Sequence, residues 1–235
     1  MIKSADSILL IRDRLWYVVP VARRKRQEAE IEQSRTLILE SAARIFAEKG
    51  FQASSMAAIA KEAGYTAPTL YTYFKAKADI YFELVDLVVS SISNVYQEHE
   101  PPGMSFAQRL ELLLLRQFKV IDEQSDTFAF FLTLSARGEA GPVDVRDRDR
   151  HTTEALSLRQ QMTNWLDKNL QGSEFADLPT DLVEIYIQGV TLGFASRWAE
   201  GDRKEPMAKS ISVVVTLLIG GLEGLLKQRS GEAAS

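Results

Sequence analysis

Cysteine is absent from the 235-residue chain, and histidine occurs only twice, at His99 and His151. The first absence excludes disulfide frameworks, thiolate metal sites, cysteine nucleophiles and iron–sulfur clusters, and it fits a reducing, cytoplasmic setting. Two imidazoles that far apart in the chain would leave any metal centre to carboxylates, so no metal and no cofactor is expected. There is no G-x-S-x-G elbow, no glycine-rich phosphate loop and no evident pair of carboxylates on one helix face, which argues against an enzyme. Long hydrophobic runs are missing too. The longest, Ile211–Leu222, has 12 residues, against the roughly 20 that a bilayer-spanning helix needs, so no membrane partner is expected. Near the start, Arg12, Asp13 and Arg14 cut the apolar residues Ile8–Ile11 and Trp16–Val19 into two short pieces, which does not make an export signal.

What is present is an ordinary globular balance of 46% hydrophobic and 26% charged residues. The net charge of −4 taken alone argues against a nucleic-acid partner. The average conceals a split. Residues 21–80 carry ten Lys and Arg against seven acids, a net +3, and residues 1–20 add +1, so residues 81–235 hold −8. Charge of opposite sign at the two ends suggests two domains with different partners.

Apolar residues recur at helical spacing in four short blocks from Ser34 to Asn94. The first, about Gln33–Lys49, puts Ile38, Ala42, Ile45 and Phe46 on one face and ends at Gly50. The second, Met56–Ala63, has Ser55 as its N-cap and Gly64 as its stop. Thr66 caps a third, with Pro68 in its first turn and Leu70 and Phe74 pointing inward. The fourth starts near Lys77 and reaches about Asn94. After Pro101-Pro102-Gly103, helices are expected near 105–123, 126–137, 145–170, 180–200 and 205–228, with turns at Gly138–Pro142, Gln171–Ser173 and Glu200–Asp202. No segment shows strand alternation. The expected fold is therefore all-α: a small N-terminal helix-turn-helix domain at 31–80 and a larger helical bundle at 81–230. Residues 1–30 are an extension, read either as an extra helix or as a tail produced by an upstream start codon.

A helix, a glycine turn and a second short helix form the layout in which the second helix stands out from a three-helix core to enter the DNA major groove. The outward positions of that helix, Thr66, Ala67, Thr69, Thr72, Tyr73 and Lys75, include no acid. Here the run from Ser55 to Ile80, SMAAIAKEAGYTAPTLYTYFKAKADI, closely resembles the DNA-binding signature of TetR-type repressors, approximately T-x-x-x-I-A-x-x-A-G-V-S-x-x-T-L-Y-x-Y-F-x-x-K-x-x-L. Departures are small: Tyr65 stands for Val, Thr66 for Ser, and Ala78-Asp79 for a Lys/Glu-rich pair. The resemblance covers about residues 33–95.

It implies that Ser55 and Thr66 meet phosphates at helix N-termini, that Ala67, Pro68 and Thr69 face base edges, with Ala67 and Pro68 reaching a thymine methyl, that Tyr71 and Tyr73 place hydroxyls on phosphates, and that Lys77 adds its charge. No Arg, Asn or Gln lies on this helix to make a bidentate base pair contact, so DNA shape is expected to supply much of the specificity. The run Arg23-Arg24-Lys25-Arg26 sits where some relatives carry a minor-groove arm; the alternative is a solvated run paired with Glu28, Glu30 and Glu32.

The resemblance also implies that the C-terminal bundle pairs two subunits and encloses a small-molecule pocket. Pocket candidates are Phe118, Phe128, Phe131 and Trp165, although an aromatic stripe is as readily plain core. Helix 205–228 is apolar nearly all round and is expected to be buried on both sides, one against its own domain and one against a second copy. Tyr186, Gly189, Gly193, Val214, Leu218 and Leu222 are the expected dimer-interface residues. The leading expectation is a homodimeric, ligand-responsive repressor that binds a palindromic operator on double-stranded DNA and is released by a small-molecule effector. The alternatives are an all-α enzyme, for which no catalytic constellation is found, and an adaptor whose helix-turn-helix no longer binds DNA.

Overall fold

The computed structural model describes residues 21–136 and 145–232. The expectations for residues 1–20 and for the turn at Gly138–Pro142 lie outside the described residues, as do the side chains of Arg23, Arg24 and His151. Among the described residues there are nine α-helices and no strand: α1 (Val21–Lys49), α2 (Met56–Glu62), α3 (Ala67–Tyr73), α4 (Lys77–Gln97), α5 (Phe106–Glu123), α6 (Ser125–Ala136), α7 (Val145–Leu170), α8 (Thr180–Glu200) and α9 (Ile211–Glu232). The fold is all-α, with an N-terminal helix-turn-helix unit and a helical C-terminal part.

Two of the expected boundaries differ. Helix α1 starts at Val21, so the basic run belongs to its first turns, and Arg26 pairs with Glu30 at 2.9 Å one turn on. The expected helix at 205–228 is divided: Pro206 precedes a 3-10 turn, Met207–Ser210, and α9 begins only at Ile211. The division has a cause. The carboxylate of Asp122 on α5 accepts hydrogen bonds from the Met207 and Ala208 backbone N–H groups, at 2.6 and 3.0 Å, and so satisfies donors that a helix start leaves free.

The side chains sort into two cores. The first is built from Ile38, Ala42 and Phe46 of α1, Ile59 of α2, Leu70 of α3 and Ile80 and Leu84 of α4, all essentially inaccessible to solvent. One residue from far along the chain completes it: Phe130 of α6, buried, with its ring 5.0 Å from that of Phe46. The second core gathers Val95 of α4, Leu110, Leu114 and Phe118 of α5, Leu166 of α7, Val183 and Ile187 of α8, and Val214, Leu218 and Leu222 of α9. Helix α4 supplies residues to both, so the expected boundary at 80/81 falls inside a continuous helix.

Helix α9 is fastened to α8 at one close approach. A side chain at Gly221 would put a Cβ 2.0 Å from the Tyr186 hydroxyl, so only glycine leaves that phenol room to donate to the Leu217 carbonyl at 2.8 Å. By length and composition the segment Met207–Arg229 is apolar enough to cross a membrane, which the 12-residue run did not lead one to expect. In the fold one side of it is core, because Val214, Leu218 and Leu222 are completely buried.

Phe130 carries a testable consequence. Replacing it with alanine should cost about 3–5 kcal/mol, the usual range for emptying a buried phenylalanine site. The loss should show in hydrogen exchange as weakened protection of α1–α4, although the altered residue lies in α6; weakened protection confined to α5–α9 would refute the shared packing.

Candidate functional site

In the N-terminal unit one side of α3 is exposed and the other buried. Gly64 ends α2 with φ near +75°, a conformation that costs a side-chain-bearing residue strain and turns the chain sharply toward α3. At both helix starts a hydroxyl performs the capping. Ser55 Oγ accepts from the Ala58 N–H at 3.2 Å, and Thr66 Oγ1 accepts from the Thr69 N–H at 3.4 Å while sharing a 2.8 Å hydrogen bond with the Thr69 hydroxyl. Leu70 and Phe74 are buried, which fixes the rotation of α3 about its axis. Thr66, Pro68, Tyr71, Thr72 and Lys75 then stand exposed, Ala67, Thr69 and Tyr73 are partly covered, and no acid occurs between Tyr65 and Ala78. Of the eight residues expected to touch nucleic acid, Thr66, Ala67, Pro68, Thr69, Tyr71 and Tyr73 lie on α3 or at its N-cap, wholly or partly exposed, and Ser55 is exposed at the start of α2.

Lys77 is the exception. Its ammonium donates to the backbone carbonyls of Phe51, Gln52 (3.4 Å) and Ser54 (2.8 Å) and lies 4.3 Å from the centre of the Phe51 ring. Burial pulls its pKa below the ordinary lysine value, whereas the carbonyl dipoles and the ring face favour the charged form. This lysine ties the start of α4 to the turn between α1 and α2 instead of projecting a free charge.

A second cation, not foreseen from the sequence, holds the C-terminal end of α3. Arg35 of α1 donates to the Tyr73 carbonyl at 3.0 Å, pairs with Glu83 of α4 and stacks 4.4 Å over the Phe74 ring. Nearby the Tyr65 hydroxyl donates to Ser34 Oγ at 3.1 Å. The signal that could have found Arg35 was its place on the inner side of the first helical block, next to the apolar stripe.

The C-terminal part encloses a cavity of about 770 Å³ between α4, α5, α7 and α8. Of the four expected pocket residues, Phe118 and Phe131 line it. Phe128 does not; it is buried in the C-terminal core. Trp165 faces a different, more polar hollow of about 600 Å³, and its indole N–H donates to Glu100 Oε1 at 2.6 Å. The sequence reading missed the main wall, a single stripe of α4 made by Tyr81, Val85, Val88, Val89, Ile92 and Tyr96. Its spacing was visible, but core and cavity walls share that spacing.

The hydroxyl of Tyr96 accepts from Gln117 Nε2 at 3.0 Å and faces Met162 Sδ at 3.4 Å. Burial raises its pKa to about 12, so it is a neutral hydrogen-bonding group at any physiological pH.

The expected dimer residues divide. Val214, Leu218 and Leu222 are fully buried inside this chain, where α9 packs on α5 and α8, so they have no surface to offer a second copy; helical period alone did not say which of two apolar faces turns inward. Tyr186 is likewise occupied with α9. Gly189 and Gly193 are exposed with open space above them. Around them lie exposed apolar side chains: Leu182, Ile185 and Leu192 on α8, and Val213 and Leu217 on α9.

Residues 38–84, which contain α2, α3 and their caps, match the model for bacterial regulatory proteins of the tetR family. Over 201 residues the chain is 30% identical to the HTH-type transcriptional regulator YdgC of Bacillus subtilis, covering 81% of this chain and 93% of that protein. The chain belongs to the tetR family. It is a transcriptional regulator of that family, and its relatives are regulators, not enzymes. It is 25% identical over 204 residues to the regulator AcrR of Shigella flexneri, covering 85% of this chain and 93% of that one. Its fold is that of the transcriptional regulator FadR of Bacillus subtilis, solved with stearoyl-CoA, at a TM-score of 0.59 and 20% identity, covering 79% of this chain and 98% of that one.

Within this tetR-family domain the geometry separates two kinds of residue. Lys77→Met should lower stability by about 1–3 kcal/mol, the cost of removing hydrogen bonds made by a charged group, while the salt dependence of DNA binding in the still-folded protein stays unchanged. Lys75→Met should leave the melting temperature within about 1 °C and flatten that salt dependence, because a surface change away from packing costs little and each phosphate no longer neutralised lowers the slope by roughly one unit. Binding isotherms across a salt series, read beside thermal melts, would expose the reverse pattern if the assignment is mistaken.

Proposed function

We propose that the protein acts in the cytoplasm as a homodimeric repressor that binds a palindromic operator through paired α3 helices and releases it when a small molecule fills the C-terminal cavity. The observation that carries the DNA half is the α3 face: exposed, free of acids, and held at a fixed rotation by Leu70, Phe74 and Arg35. Thr66, Ala67, Pro68 and Thr69 are assigned to the groove, and Ser55, Tyr71 and Tyr73 to phosphates. At 53% exposure Tyr71 has the reach for this. Since no long bidentate side chain stands on α3, much of the selectivity falls to DNA shape. Lys25, exposed near the start of α1, extends the cationic surface beyond the helix-turn-helix unit.

For the dimer, the support is an apolar face that none of the described residues covers. Ile185, Leu192, Val213 and Leu217 are each exposed by half or more. Four glycines on the same two helices, Gly189, Gly193, Gly220 and Gly224, have open space where a Cβ would stand, which lets another backbone come close. A two-fold pairing of α8 and α9 would cover this face on both copies with one self-complementary contact. For the effector, the support is a cavity within the usual 300–1,000 Å³ of small-molecule sites. The stearoyl-CoA held by the FadR fold relative is an example of a ligand seated in this architecture.

Contact between the two sites runs through α4, which lines the cavity with Tyr81 and packs that same ring 5.3 Å from Phe51 beneath the helix-turn-helix unit. An effector can release DNA only if it binds the non-DNA-binding arrangement more tightly than the other.

Fluorescence anisotropy with duplexes from the region upstream of the gene tests the DNA reading; saturable binding that steepens with falling salt is expected, and none at low salt would overturn it. The double variant I185D/L217D should sediment as a monomer with its helix content intact and bind operator at least tenfold more weakly, since each half-site must then be held alone. A dimer that survives these two changes would place the interface elsewhere.

A further inference from the structure

The cavity's shape and its one accessible charge narrow the class of effector, on the reading that the cavity is the effector site. Its α4 wall runs from Tyr81 to Tyr96 along one side of the helix, about 22 Å at 1.5 Å per residue. In a cavity of about 770 Å³, an apolar stripe of that length offers an extended aliphatic chain contact along its whole length. The walls are aliphatic and aromatic almost throughout, and the deep ones, Leu114, Phe118, Ile187 and Met207, are nearly inaccessible to solvent.

Among the described lining residues Arg159 carries the only charge. It stands with Gln188 where the lining is exposed, which marks the opening. The guanidinium is oriented by its own partner. Its Nε–H donates at 2.8 Å to Glu184, a buried carboxylate that also accepts from Thr163 Oγ1 at 2.9 Å and Gln188 Nε2 at 3.2 Å. Glu184 is thereby saturated and closed to a ligand. The two terminal nitrogens of Arg159, in contrast, have no hydrogen-bond partner among the described residues, and its side chain is 59% exposed. A molecule entering the cavity therefore meets a positive charge held in place by an anion it cannot touch. Further in, it meets only neutral polar groups, Tyr96 and Gln117.

We propose that the effector is an elongated amphiphile with one anionic end: an aliphatic chain along the α4 stripe, and a carboxylate, or the phosphate of a larger conjugate, seated on the terminal nitrogens of Arg159. A planar fork of donors that is already oriented suits an oxyanion, and charge-assisted hydrogen bonds of this kind are about twice as strong as neutral ones.

The test titrates the full-length protein by calorimetry with three ten-carbon probes below their aggregation limits: decanoate, decan-1-ol and decylammonium. Decanoate is expected to bind at least tenfold more tightly than decanol, and decylammonium more weakly than either. Arg159→Gln should remove the advantage of decanoate while leaving decanol binding within about twofold, which also certifies that the cavity remains folded; Arg159→Lys should restore part of it. Equal affinity for decanoate and decanol, a preference for decylammonium, or a decanoate preference that survives Arg159→Gln would overturn the assignment of the anionic end and leave the effector cavity standing. Failure of all three probes to bind, with the protein folded, would remove both.

Discussion

Helix α4 belongs to two hydrophobic cores at once, and the rest of the molecule is arranged around that constraint. Its first half is locked among α1, α2, α3 and Phe130, while its last half reaches Val95 and Tyr96 in the C-terminal core. Close-packed interiors do not absorb displacement gradually; they shift between discrete packings. Any molecule that forces the α4 stripe aside must also move Tyr81, whose ring meets Phe51, Phe82, Phe130 and Phe131. Phe51 is in turn the residue whose carbonyl and ring hold Lys77. A few aromatic rings thus link the cavity to Lys77 and the turn between α1 and α2. That is a statement of contact; coupling along it is a separate measurement.

The cations of the N-terminal unit serve the fold more than their count suggests. Of the ten Lys and Arg in residues 21–80, Arg26 and Arg44 are paired with Glu30 and Glu62, and Arg35 and Lys77 are engaged with carbonyls and rings. Lys25, Lys49, Lys61 and Lys75 remain exposed. A modest field of this kind favours a protein that relies on fit to the duplex, with hydroxyls and backbone N–H groups near phosphate, over one that binds any polyanion by charge alone.

The helix-turn-helix unit was legible in the sequence almost residue by residue, and the reason is local. Ser55, Gly64, Thr66 and Pro68 each act within three or four positions of where they stand, and capping and turn chemistry are short-range. Helix limits in the C-terminal part were readable for the same reason. What was hidden depends on partners far away. Lys77 reaches carbonyls more than twenty positions earlier, Phe130 closes a core formed by residues 38–85, and Asp122 caps a turn at Met207. Apolar period gives the number of greasy faces on a helix but not the neighbour each will meet, so neither the inward turn of Val214, Leu218 and Leu222 nor the separation of Trp165 from Phe118 and Phe131 was visible.

The two faces of α9 differ in a way that bears on what covers the outer one. The inner face is made of branched and large residues that fill volume, Val214, Leu218 and Leu222, whereas the outer face mixes Val213 and Leu217 with Gly220 and Gly224. Lipid offers no reason for glycines on an exposed stripe, since acyl chains pack as well against leucine; a second helix does, because small residues let two backbones approach and gain dispersion contacts along their length. The face is also bounded by charge, with Asp181 and Arg197 on α8 and Glu223 and Lys227 on α9 exposed at its edges. A bilayer would have to desolvate those groups, while a protein partner can leave them at a wet rim around a dry centre. Burying the patch against its own copy satisfies the apolar side chains, the glycines and the charged margin together, which is the physical case for the homodimer proposed above.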